Sequence, residues 1–178
     1  MEFSKVISLR KSIRSYSNKQ VEKEKLKKIL ELTRLAPSWA NKQCCRYIVV
    51  TDQSKINEFG GIINSWLKQA PVVIVACADP NDSGSRNGME YYLVDVGISM
   101  QQLILTATDL GLSTCWIGGF NETKIKKVLD VPNNIKVVGL TPLGYAKEKE
   151  SLTSKIAKKI VGSEKRKLLD EIVHKEKW

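Results

Sequence analysis

Pro71 is followed by seven residues without a charged or amide side chain: Val72, Val73, Ile74, Val75, Ala76, Cys77 and Ala78. Successive side chains of a strand point to opposite faces, so a strand of this composition needs cover on both. That condition excludes a sheet with one wet face and asks for helices on either side. A second apolar stretch, residues 88–110, is long enough for a helix and is closed by Gly111 in the position that favours a left-handed residue. Being apolar nearly all round, it belongs in the core or against a second subunit.

The remaining signals alternate. The spacing of Val21, Leu26, Ile29, Leu30 and Leu35 predicts an amphipathic helix over residues 20–35, with Asn18 as its cap and Ala36-Pro37-Ser38 as its stop. Residues 47–51 read as a strand, residues 53–68 as a helix interrupted at Gly60-Gly61, and residues 79–84 as a loop. Residues 114–117 form a strand ending at Gly118-Gly119. Asn121 caps a helix reaching Leu129, residues 135–140 form another strand, and Gly144-Tyr145 a turn. No repeat or linker divides the chain, so one domain over 1–178 is expected, mixed α/β or α+β in class, with about four or five strands.

Several function classes are excluded. The single histidine, His174, stands four residues from the end, which leaves no Ser-His-Asp triad or multi-histidine metal site. No G-x-G-x-x-G follows a strand, and no P-loop is present, so a bound phosphate must be held mainly by side chains. Four cysteines without a C-x-x-C pair, and no secretory or membrane-spanning segment, point to reduced thiols in a cytoplasmic protein.

The net charge of +10 is unevenly spread. Residues 1–28 carry nine Lys/Arg against three Glu, residues 147–178 carry ten against six acids, and the middle sums to zero. Both ends converging on one anion, such as a cofactor phosphate, would produce this partition; so would solvated basic termini. A nucleic-acid surface is the weaker reading, because no recognised binding module accompanies the charge.

Three segments carry chemistry. If Arg10-Lys11-Ser12-Ile13-Arg14 is extended or turning, two guanidinium forks and a hydroxyl share one side and suit a terminal phosphate; an ordinary basic N-terminal segment reads the same way. Ala36-Pro37-Ser38-Trp39-Ala40-Asn41-Lys42-Gln43 offers a hydroxyl and two carboxamides, which match the mixed donor–acceptor edge of a flavin or a nicotinamide amide. Trp116, Ile117, Gly118 and Gly119 end a strand where paired glycines let a flat ligand approach the main chain.

In this order the segments resemble the nitroreductase family of flavoproteins. So do Asp95-Val96-Gly97, Gln101-Gln102, Leu143-Gly144-Tyr145 and Arg166-Lys167-Leu168-Leu169-Asp170-Glu171. The resemblance covers nearly the whole chain. It implies a nitroreductase-like α+β fold, a central mixed sheet flanked by helices, in an intertwined homodimer whose tail, about residues 150–178, packs on the partner. FMN would lie at the subunit interface, with NADH or NADPH as co-substrate. Arg10, Lys11, Ser12 and Arg14 would hold its phosphate and ribityl chain, joined by Lys165 and Arg166. Pro37, Ser38, Asn41 and Gln43 would line the flavin, partly from the other subunit, and Trp116, Ile117, Gly118 and Gly119 would pass along the ring. Lys11 would stand near the flavin N1–O2 edge or serve the phosphate.

The activity implied is hydride transfer from NAD(P)H to a small organic acceptor, nitroaromatic or quinone in type, by a ping-pong mechanism without catalytic side chains, metal, nucleic acid or membrane. A relative specialised for reductive dehalogenation or flavin or ring oxidation would share the cofactor site. One departure is evident: Cys44 and Cys45 stand where the family usually has Pro and an aromatic residue. The 2′-phosphate of NADPH would need an arginine near the pocket mouth; Arg46 and Arg86 are the two candidates, and the sequence does not separate them.

Overall fold

The computed structural model describes residues 1–61, 64–147 and 166–178. Helix α1 (Phe3–Leu9) leads through the basic segment to α2 (Lys23–Thr33), then to β1 (Cys45–Val50), α3 (Gln53–Phe59) and β2 (Val72–Ala78). A hairpin, β3 (Ser85–Arg86) and β4 (Met89–Glu90), precedes the long helix α4 (Tyr91–Asp109). Strand β5 (Ser113–Thr114), helix α5 (Glu122–Leu129) and strand β6 (Lys136–Gly144) follow, and a short 3₁₀ turn spans Leu169–Glu171.

The main sheet has the order β1-β2-β6-β5, with antiparallel pairs throughout. A parallel bridge from Ser12 to Thr114 makes its edge mixed. Every residue of β2 is buried, and the alternation explains why none of its side chains is charged or an amide. Val73, Val75 and Cys77 join Phe59, Ile125 and Leu140 in one core, on the side of α3 and α5. Val72, Ile74, Ala76 and Ala78 join Ile29, Met100, Leu103 and Leu143 in the other, beneath α2 and α4. Each methylene buried in these layers is worth about 0.8 kcal/mol, so both helix layers are held by the same seven-residue strand.

Several elements differ from the sequence reading. Helix α2 starts at Lys23 rather than residue 20, and Asn18 does not cap it. Ser17 N–H donates to the Tyr145 carbonyl and Tyr16 bridges Ala146, so the chain before Glu22 is drawn out along the end of β6. For the same reason Gly144-Tyr145 is no turn, and β6 runs to Gly144 through Pro142. Helix α4 begins at Tyr91 because Asn87 and Gly88 both take positive φ, 54° and 76°, at the tip of the hairpin. An Asn-Gly pair is the strongest short-range hairpin signal, and it outweighs the apolar residues that follow. Helix α5 matches its expectation, with the Asn121 side chain accepting from Lys124 N–H.

The apolar character of α4 is resolved in two directions. Val96, Met100, Leu103, Ile104 and Ala107 enter the core, while Leu93, Val94 and Ile98 stay 39–49% exposed. Phe3, Ile7 and Leu9 of α1 are exposed as well. Among the described residues no helix is long and apolar enough to cross a membrane.

Candidate functional site

The basic segment leaves α1 at Arg10, whose N–H still donates to the Val6 carbonyl. Ile13 N–H then donates to the Thr114 carbonyl at 2.9 Å, which lays the segment beside β5. Ile13 packs on the core, so its neighbours Ser12 and Arg14 face the other way, as alternation requires. Both lie close enough to the buried Cys115 to act on its thiol. Burial pushes that thiol up, while the Arg14 charge, the Ser12 hydroxyl and the Arg10 charge each pull it down. Arg10, Ser12 and Arg14 are thus grouped near enough to one buried thiol to act on it. Lys11 is exposed. Arg14 Nη1 is buried with no hydrogen-bond partner among the described residues, a donor they leave open. That orphaned donor fits an anion such as a phosphate.

From Cys115 the chain passes directly into the ring-side run. Ile117 exchanges both backbone hydrogen bonds with Leu140, at 2.8 and 3.0 Å. Trp116 is neither core nor free: its indole lies against Gly139, where an added methyl would come within 3.1 Å of the ring, and the residue is 39% exposed. A methyl on Gly119 would meet nothing within 4 Å, and one on Gly118 would meet only the Trp116 indole nitrogen at 3.9 Å. The main chain here is open to a flat ligand. Asn64, which the sequence reading missed, fixes the run by donating from Nδ2 to the Gly119 carbonyl at 2.7 Å. A cavity of about 420 Å³ adjoins Gly118, walled by Tyr92, Phe120, Glu122 and Lys136.

The carboxamide segment forms a tight loop before β1. Ala40, Asn41 and Gln43 all have positive φ, between 47° and 53°. Left-handed backbone at residues other than glycine costs roughly 1–3 kcal/mol each, and such residues collect at ligand-binding sites. The Ser38 hydroxyl accepts from Gln43 N–H at 2.9 Å, closing the loop on itself. Asp95, buried in α4, accepts from Trp39 N–H at 2.8 Å and from the Cys44 thiol at 3.4 Å. The Trp39 ring stacks on Tyr91, centroids 5.5 Å apart, and lies close over Gly84, where there is no room for a methyl. A cavity of about 240 Å³ runs behind the loop, touching Pro37, Ser38, Gln43, Cys45, Tyr47 and Ser99. Asp95 was visible in the sequence as an acid within an apolar helix, but its partners are distant in the chain.

Within one chain these parts do not all meet. Cys45, where the loop enters the sheet, is aligned through Ala78 with Lys136, whereas Thr114, beside Ser12, is aligned with Leu143. The two points are three strand spacings apart, roughly 14 Å across, and some seven residues apart along β6, roughly 23 Å. Helix α4 gives the same result. Asp95 holds the loop and Asp109 takes the Met1 ammonium ahead of α1; the fourteen helical steps from one to the other span roughly 21 Å. Arg166 is exposed in the described tail, and Lys165 lies outside the described residues. No cluster of metal-binding type is found among the described residues.

The sequence pattern of the Nitroreductase family matches residues 7–66 and 56–145. A nitroreductase family protein of Clostridium novyi has a similar structure, with 42% identity and a TM-score of 0.79 over 83% of this chain and 87% of its own. An FMN-dependent nitroreductase of Clostridium difficile is 28% identical, with a TM-score of 0.76 over 97% of this chain and 98% of its own. An FMN reductase [NAD(P)H] of Bacillus subtilis is 29% identical over 180 residues, 90% of this chain and 72% of its own length. The ordered segments, the sheet and these likenesses agree, and the chain belongs to the nitroreductase family.

Proposed function

We propose that the protein is an FMN-dependent oxidoreductase that passes hydride from NADH or NADPH to a small organic acceptor of nitroaromatic or quinone type in alternating half-reactions. The observation that carries this reading is the orphaned donor of Arg14, grouped with Arg10 and Ser12 and leading straight into the open main chain at Gly118 and Gly119. The named activities of the Clostridium difficile and Bacillus subtilis relatives support it.

FMN, when bound, supplies the two-electron carriage between donor and acceptor; the chain supplies position, polarity and dryness. Arg10 and Arg14 would clamp the phosphate with charge-assisted hydrogen bonds, with Ser12 donating to the ribityl chain. Arg166, with Lys165, would bring the basic tail to the same phosphate. Trp116, Ile117, Gly118 and Gly119 would flank the ring, and the indole would keep water from one side of it. Lys11 would stabilise negative charge at the N1–O2 edge.

The loop of Pro37, Ser38, Asn41 and Gln43 would reach the same flavin from a second copy of the chain. A homodimer accounts for the exposed apolar residues of α1 and α4 and for the tail, whose Leu168, Leu169, Ile172 and Val173 are all more than half exposed. In that assembly residues 1–178 act as one domain, with the tail lying on the partner. Four unpaired cysteines suit a reducing, cytoplasmic setting.

The experiment is an absorption spectrum of the purified protein before and after anaerobic addition of NADH or NADPH. Flavin bands that bleach with either nucleotide are expected. A colourless protein that takes up no added FMN would overturn the reading.

A further inference from the structure

The structure assigns Asp95 and Cys44 a joint positioning role: the carboxylate staples both ends of the strained loop, and the Cys44 thiol is the second leg of that staple. This rests on the reading that the loop touches FMN. Asp95 sits one turn into α4, held by the core, so its two oxygens are fixed points. Oδ1 takes the Trp39 N–H at 2.8 Å and Oδ2 takes the Cys44 S–H at 3.4 Å. Between those two legs lie Ala40, Asn41 and Gln43, the residues with positive φ. A backbone of this kind relaxes unless its surroundings over-determine it. Here the two oxygens set the span, and the Ser38–Gln43 hydrogen bond and the Trp39–Tyr91 stack set the orientation.

The thiol suits the task. Burial, the largest of several causes, pushes Cys44 up to about 12, so the thiol keeps its proton and remains a donor at neutral pH. A proline at this position would stiffen the loop through its own ring and need no partner. A cysteine leaves φ free, and Asp95 restores the constraint from outside. Cys45 is placed differently: its sulfur accepts from the Ser99 hydroxyl one helical turn further along α4 and borders the cavity behind the loop. The adjacent thiols therefore divide into an anchor and a cavity wall.

The test compares wild type, Cys44→Ser, Cys44→Ala and Asp95→Asn as flavin-free proteins. Amide hydrogen exchange of residues 38–44, FMN affinity by fluorescence quenching, and melting temperature are read for each. Cys44→Ala should speed exchange in the loop and weaken FMN binding about tenfold, the loss of one hydrogen bond to a charged acceptor. Cys44→Ser keeps the donor and should restore both readouts. Asp95→Asn should match or exceed the alanine variant, and combining it with Cys44→Ala should add little, as for two ends of one contact. Unchanged exchange and affinity in Cys44→Ala, or no rescue by serine, would overturn the assignment. Because the exchange measurement needs no flavin, a wild type that binds no FMN would overturn the parent reading while the staple is still decided by exchange.

Discussion

Arg46 and Arg86 flank the strained loop, and their surroundings separate what their sequence positions do not. Arg46 Nη2 is paired with Asp82 at 2.7 Å, and its Nη1 donates to the Gln43 and Cys45 carbonyls, so its guanidinium is committed to holding the start of β1. Arg86 lies exposed on the hairpin, with no such partner among the described residues. The hairpin reaches the loop through Gly84, where an added methyl would fall 2.3 Å from the Trp39 ring. Were NADPH the donor, Arg86 rather than Arg46 would be free to meet its 2′-phosphate. Replacing it with Ala should lower kcat/KM for NADPH about tenfold more than for NADH, the worth of one charge-assisted hydrogen bond. Steady-state kinetics with both nucleotides check this, and an equal loss for both would assign the residue elsewhere. The identity of these residues was legible in the sequence; which of them is already spoken for depends on Asp82, thirty-six positions away.

At the scale of elements, the sequence reading succeeded where signals were local. The apolar run became β2 residue for residue, and Asn121 capped α5 because its side chain needs only a backbone N–H three residues on. It failed where a distant strand overrode local preference. The start of α2 is set by Tyr145, whose hydroxyl donates to Glu22 and accepts from Lys25 at 2.8 Å, while Lys25 also donates to the Leu110 carbonyl at the end of α4. The Tyr145 hydroxyl, first among several causes, holds the Glu22 carboxyl below its ordinary 4.5. A carboxyl lowered in the folded state adds stability that is present above its unfolded value and is lost as pH falls through the folded one. The melting temperature of wild type should therefore drop between about pH 5 and pH 3 by more than that of Glu22→Gln. Parallel acid profiles for the two proteins would show that this network does not fasten α2.

At the scale of the whole molecule, the charge partition read from the sequence agrees with the proposed convergence of both basic ends on one phosphate. The separation of the half-sites was not readable. It follows from the strand order β1-β2-β6-β5 and its register, which no local pattern encodes. The phosphate side and the strained loop stand at opposite corners of the sheet, and the apolar faces of α1 and α4 lie open beside them. The proposed second copy would account for both facts together.

Mixed dimers test this most directly. One chain would carry Arg10→Ala and Arg14→Ala, and the other Ser38→Ala and Asn41→Gly; each alone should bind little FMN. If every site joins the phosphate side of one chain to the loop of the other, a mixed dimer holds one intact site and one doubly broken site. Titration should then find one FMN per mixed dimer, with near wild-type affinity. If each site were built within a single chain, both sites would be broken, and a mixed dimer that binds no FMN would contradict the account.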